Sequence, residues 1–292
     1  MHRISRPWAI IFALAVTAAA CGDDMPPDGV SITVLTHDSF VISEEALAAF
    51  TAQTGISVSI QTLGDTGTMV SEAILTAGNP LGDVMFGIDN TFLQRGLDAD
   101  LFEAYESANL GGVRAGLDLD PEHRVTPIDF GDVCVNYWID AVPHGIPTSL
   151  KDLTDPANAG QLVVESPETS SPGLAFLLAT IAATPDWEQY WTDLVENGVS
   201  VTSGWEEAYY GEFVAGGGDR SMVVSYASSP AAEVFFAVEP MDAPPTGVLL
   251  DSCFRQIEFA GVLAGAQNAA GAGAFIDFLL TPTFQEEIPL SM

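Results

Sequence analysis

The hydrophobic pattern of this chain changes period repeatedly, and the changes mark its elements. Ser31, Ile32, Thr33, Val34 and Leu35 form a β-rich run that leads into a polar turn, His37-Asp38-Ser39. Ser43 then has N-cap chemistry, Glu44 and Glu45 lie in the first turn, and Ala46, Leu47 and Phe50 follow in helical spacing. Gly55 stops the run, so a helix is predicted over 44–54. Residues 58–63 read as a second strand, 64–68 as a loop and 69–76 as a helix. A third strand at 83–88 is followed by a helix at 90–97. Strands alternating with helices predict a parallel sheet with right-handed crossovers.

The second half repeats this grammar. Strands are expected at 161–165, 199–202 and 221–226, and helices at 172–183, 186–196, 205–213 and 229–238. Two long extended stretches, 125–138 and 248–258, carry no helical period, and a helix at 269–280 follows the second. The pattern therefore predicts two α/β lobes joined by two extended hinge crossings. Residues 31–126 with 254–292 form the first lobe, and 127–253 the hinge strands and the second. Such lobes enclose a cleft at the carboxyl ends of their strands, where open α/β sheets bind ligands.

The chain begins with His2, Arg3 and Arg6, then an apolar stretch over 8–20 that is too short to span a bilayer. It ends in Ala18-Ala19-Ala20-Cys21. Residues 1–20 read as a signal peptide and Cys21 as a lipidation site, with plain cleavage after Ala20 as the alternative. Residues 21–30 read as a tether. Either way the protein is exported, to the periplasm or the cell surface. In an oxidising compartment Cys134 and Cys253 favour a disulfide over two buried thiols. No CxxC or Cys/His cluster suggests a zinc site.

Charge narrows the choice of partners. Lys and Arg number 8 against 40 Asp and Glu, a net charge of −32, and Lys151 is the only lysine. No basic surface for nucleic acid can be built from so few cations. Membrane contact is confined to a lipid anchor. Most of the carboxylates serve as hydrated surface.

The polar loops fall at strand ends. They place His37, Asp65, Thr66, Asp89, Ser170, Ser171, Trp205, Tyr209 and Tyr226 toward one cleft. Thr169-Ser170-Ser171-Pro172-Gly173 supplies hydroxyls at an N-cap and proline at the first helical position. That makes either an anion site or an ordinary capped helix. Trp205 and Tyr209, four apart on one helical face, and Tyr226 form either an aromatic wall for a flat or cationic ligand or part of the lobe core. Asp65, Glu206 and Glu207 offer negative charge.

These segments resemble the periplasmic thiamine-binding proteins, the solute-binding components of thiamine ABC transporters. The similarity runs through Leu35-Thr36-His37-Asp38-Ser39-Phe40, Gly87-Ile88-Asp89-Asn90, Pro127-Ile128-Asp129-Phe130-Gly131, Thr169-Ser170-Ser171-Pro172-Gly173-Leu174, Gly204-Trp205-Glu206-Glu207-Ala208-Tyr209, Ser225-Tyr226-Ala227-Ser228-Ser229-Pro230 and Phe284-Gln285-Glu286-Glu287-Ile288-Pro289. The resemblance implies a type II periplasmic-binding-protein fold, with thiamine and its mono- and diphosphate as ligands and a membrane permease as partner. It implies that Asp65 faces the charged thiamine body, that Ser170 and its neighbours face the phosphate end, and that Trp205, Tyr209 and Tyr226 form the aromatic wall. His37 stands where some members have tyrosine. Members of the family continue past the Ile-Pro motif into a segment carrying another aromatic cleft residue, so a chain ending at Met292 is expected to lack one wall. A monomer without cofactor is expected.

Three alternatives stay open. The adjacent Tyr209-Tyr210 pair suits a ferric-ion receptor, although neighbouring residues on a helix point about 100° apart. Acids and aromatics also suit a polyamine receptor. A secreted hydrolase is the third, but no G-x-S-x-G, H-E-x-x-H, P-loop or G-x-G-x-x-G is present, and Glu206 and Glu207 diverge on a helix.

Overall fold

A computed structural model describes residues 30–291. The leader at 1–20, Cys21 and the tether up to residue 29 lie outside the described residues. Strand β1 (Ser31–Thr36) pairs in parallel with β2 (Ser57–Thr62) and β3 (Val84–Asp89). Helix α1 (Glu44–Thr54) starts where Ser43 Oγ accepts from the Ala46 amide, and it stops at Gly55, which is left-handed at φ 73°. Helices α2 (Thr66–Leu75) and α3 (Leu93–Asp98) and the short strand β4 (Phe102–Glu103) complete this end of the molecule.

Strand β5 (Thr126–Trp138) leads into the second lobe, built from β6 (Leu162–Glu165), α4 (Ser171–Ala183), α5 (Trp187–Glu196), β7 (Ser200–Thr202), the single turn α6 (Trp205–Glu207), β8 (Met222–Tyr226) and α7 (Ser229–Phe235). Strand β9 (Thr246–Leu263) returns to the first lobe, which closes with α8 (Ala269–Leu279), α9 (Pro282–Gln285) and α10 (Ile288–Ser291). The described residues form one nine-stranded sheet in the order β2-β1-β3-β9-β5-β8-β6-β7, with β4 against β9.

This sheet is mixed rather than parallel. Within the lobes β1 pairs in parallel with β2 and β3, and β6 with β7 and β8, but β5 and β9 are antiparallel to their neighbours and to each other. The reason is connectivity: each crossing strand leaves one lobe for the other, and the two run in opposite directions. Phe50, Phe86, Phe275 and Phe284 fill one face of the first lobe, Met69, Met85 and Phe259 the other, and Phe176, Leu194 and Met222 the second lobe. Cys134 of β5 and Cys253 of β9 are joined by a disulfide beside the irregularity in strand pairing at Val133 and Val135.

Two local differences bear on the site. The segment read as a loop at 64–68 is instead the start of α2, because Asp65 caps it and accepts from the Thr66 amide at 2.6 Å. The helix expected over 205–213 makes one α turn and then a π turn over Ala208–Glu212. The wider turn rotates Tyr209 and Tyr210 relative to Trp205.

Candidate functional site

The carboxyl ends of the strands meet where the lobes touch. The Trp205 amide, in the second lobe, donates to Asp65 Oδ2 at 3.1 Å, and the Gly67 amide donates to the Thr169 carbonyl at 2.8 Å. Ser39 Oγ donates to Glu206 Oε1 at 3.3 Å. A Cβ on Gly67 would stand 2.6 Å from the Glu168 carbonyl oxygen and 2.8 Å from Phe92, so this approach requires glycine. Gly87, at φ 93°, lies so close to the His37 ring that any side chain would collide with it. The lobes are thus in contact along the predicted cleft.

Inside that contact lies a group of acids drawn from both lobes. Asp65 and Asp89 come from the first lobe, Asp129 and Glu258 from the crossing strands, and Glu165 from the end of β6. Asp89 and Glu165 are fully buried. Burial pushes the Asp89 carboxyl up to about 7, against the opposing hydroxyls of Thr91 and Ser171 and with help from Glu258. Asp129 and Glu165 are held well above the usual carboxylate range, first by burial and then by the negative charge of Glu258 and Asp65 respectively. Asp65 is raised by burial, with the Ser170 hydroxyl and the Thr66 and Trp205 amides opposing. His37 is the cation among them, with Nε2 3.6 Å from Glu258 Oε1. Burial alone would lower it, but Glu258, Asp65 and Asp129 together raise it to about 9.

Several of these groups have no partner in the protein. One carboxyl oxygen each of Asp89 and Asp129 is buried without a hydrogen bond, and the two carboxyl oxygens of Glu165 meet no hydrogen-bond partner outside their own residue. A buried polar atom left unpaired costs about 1–3 kcal/mol. Their concentration in one place, with shifted titration, makes this lobe contact the candidate binding site.

The aromatic residues form the other wall. Trp205 stacks on Tyr209 at 5.0 Å and 24°, meets Tyr226 at 6.1 Å, and donates from Nε1 to Ser225 Oγ at 2.9 Å. Ser225 in turn bonds Ser229 Oγ at 2.9 Å. Tyr209 is only 5% exposed and its hydroxyl donates to Glu233 at 2.5 Å, so it backs the indole from the core side. Tyr210 is 57% exposed and lies edge-on to Tyr209, so the two phenols do not form a converging pair. Among the described residues no three His, Cys, Asp or Glu are arranged to hold a metal ion. Tyr226 lies within the electrostatic reach of Glu258, Asp65, Asp89 and Glu165.

The fold and this geometry have relatives. The family model of bacterial extracellular solute-binding proteins matches residues 79–292. The chain belongs to that family. The binding protein is 29% identical over 264 residues to the thiamine-binding periplasmic protein of Escherichia coli (strain K12), covering 88% of this chain and 78% of that one. It is 30% identical over 264 residues to the protein of the same name from Brucella abortus, covering 88% and 76%. A solved structure of a periplasmic thiamin binding protein superposes with a TM-score of 0.80 at 27% identity, covering 92% of this chain and 83% of that one. Iron-bound HitA from Pseudomonas aeruginosa, at 20% identity and a TM-score of 0.70, covers 89% and 83% and shares the fold. The binding protein has the type II periplasmic-binding-protein fold, two α/β lobes around a cleft, and serves solute capture in ABC transport.

Of the residues singled out from sequence, Asp65, Thr66, Ser170, Ser171, Trp205, Tyr226, His37 and Asp89 come together at the lobe contact, and Tyr209 supports them from behind. The start of α4 is capped by Ser170, whose Oγ accepts from the Gly173 amide at 3.5 Å, and the carboxyl groups of Asp65 and Asp89 lie against the Ser170 and Ser171 hydroxyls there. Sequence reasoning did not assign Glu165, Glu258 or Asp129 to the site. Glu165 left one signal, an acid as the last residue of an otherwise apolar strand, Leu162-Val163-Val164-Glu165.

Proposed function

We propose that the binding protein is an extracytoplasmic receptor for thiamine that delivers it to the permease of an ABC transporter. The observation that carries this reading is the meeting of buried, under-partnered carboxyls from both lobes with the Trp205 wall. Thiamine presents a fixed positive thiazolium and a flat aminopyrimidine. The acids suit the first, and stacking on the indole suits either ring. The names of the relatives support the same ligand. The carboxylates against the start of α4 favour thiamine itself over its mono- and diphosphate, which would bring negative charge to an acidic cleft.

Capture works by closure. Residues 31–126 with 254–292 move as one body and 127–253 as the other, hinging where β5 and β9 cross. Ligand held by the buried acids and the Trp205 indole draws the lobes together, and the closed face docks onto the permease. Cys21 carries a lipid anchor that keeps the monomeric receptor at the membrane. A thermal-shift panel tests the ligand. Thiamine is expected to raise Tm by several degrees, with smaller shifts from its phosphates. A shift with spermidine or ferric ion and none with thiamine would sink the reading.

A further inference from the structure

Glu165 stands apart from the other acids of the site. Asp65 spends its oxygens on the Thr66 and Trp205 amides, and Asp89 Oδ1 accepts from Thr91 and from the Phe92 amide. Glu165 is fully buried and neither of its side-chain oxygens meets a donor or acceptor of any other residue. Its titratable neighbours are Asp65 from the start of α2, which repels it, and the neutral phenol of Tyr226 at the end of β8, itself faced by Glu258 of β9 and Asp89 of β3. Among the groups that act on it none is a cation, so burial and repulsion keep its proton in place. A protonated carboxyl offers one O–H donor and one carbonyl acceptor side by side. Two adjacent, unspent hydrogen-bonding groups of opposite sense complement a heteroaromatic edge on which a ring nitrogen accepts beside an exocyclic amine that donates.

We propose that Glu165 is a specificity-determining residue that takes such an amino-azine edge of the ligand through a paired donor–acceptor contact. This rests on the thiamine reading, since the aminopyrimidine of thiamine has that edge. It adds a recognition element separate from the fixed cation. A structural acid would stabilise the empty protein; this one burdens it, because its polar atoms stay unpaired until ligand arrives.

The test compares wild type with Glu165→Met, which fills a similar volume without polar atoms, and Glu165→Gln, whose amide keeps one donor and one acceptor. Each is titrated with thiamine and with the analogue in which hydrogen replaces the pyrimidine amine and CH replaces the ring nitrogen beside it, so that both contacts are lost. Wild type is expected to prefer thiamine by about 10–100-fold, the value of two hydrogen bonds. Glu165→Met should lose that preference while the ligand-free protein melts no lower than wild type, and Glu165→Gln should keep the preference within about threefold. Equal preference in wild type and Glu165→Met, or a ligand-free Glu165→Met that melts well below wild type, would overturn the assignment. A wild type that binds neither compound would instead refute thiamine as ligand, and the subsite with it.

Discussion

Gly67→Ala separates closure from ligand contact. Gly67 is the second residue of α2, and its amide bridges the lobes to Thr169. The new methyl would meet the Glu168 carbonyl oxygen at 2.6 Å and the Thr169 carbonyl carbon at 2.8 Å, both of them backbone atoms that cannot swing aside. The lobes must therefore part by several tenths of an ångström. That breaks the Gly67–Thr169 hydrogen bond, which is worth about 1 kcal/mol, and loosens the charge-assisted bond from the Trp205 amide to Asp65, worth about 1.5–3 kcal/mol. If binding free energy is realised through closure, thiamine affinity should fall about 50–1000-fold. In the open, ligand-free protein the two backbone clashes are absent and only the end of the Phe92 ring, in the same lobe at 2.8 Å, has to shift, while alanine is the better helix former by up to about 1 kcal/mol, so its melting temperature should change little. Calorimetry gives the affinity. Small-angle X-ray scattering gives the radius of gyration, which should contract with thiamine in wild type and not in the variant. Wild-type affinity in Gly67→Ala would refute the argument that this contact belongs to the bound state.

Other outcomes follow from the same geometry. Trp205→Ala removes the stack on Tyr209 and the face offered to the ligand, and should weaken thiamine binding by about 10–100-fold in a fluorescence or calorimetric titration; unchanged affinity would make the indole a core residue only. His37 is protonated in the fold up to about 9 against an ordinary value of 6.5, so its stabilisation is complete below pH 6.5 and disappears as pH rises through about 9. Burial raises Asp89 to about 7, and its ionisation weakens the fold as pH rises from its ordinary value of 3.8 toward 7. Unfolding midpoints should therefore decline between pH 6.5 and 9, by up to about 3 kcal/mol from His37, and His37→Gln should flatten that decline; a wild-type midpoint that is constant or rising there contradicts this. Reducing the Cys134–Cys253 bridge, 119 residues apart in sequence, should cost about 2–5 kcal/mol of stability, measured by urea unfolding with and without reductant.

Much of this architecture was legible because local chemistry and burial agree. Ser43 and Gly55 bound α1 at the expected residues, since a hydroxyl cap and a left-handed glycine act within one turn. The two crossings were visible as long stretches without helical period. Their antiparallel pairing was not, because strand direction depends on which lobe each strand enters. Gly-Asp-Thr-Gly-Thr at 64–68 has turn composition and so reads as a loop, while Asp65 as a cap and Gly67 as a point of lobe contact turn it into a helix start. The aromatic segment was found, but its π turn was not, because nothing in Ala208-Tyr209-Tyr210-Gly211-Glu212 distinguishes it from α-helix by period. The roles of Glu165 and Glu258 are not legible in the sequence for a different reason. Among 40 acids, burial is what sets them apart, and burial is a property of the assembled lobes.

Capture of thiamine by the closed cleft is tested most directly by titrating the mature protein with thiamine in a calorimeter at neutral pH. Saturable binding at one site per chain, with a dissociation constant of about 1 μM or tighter, is expected. No heat of binding at millimolar thiamine, from protein shown to be folded, would contradict it.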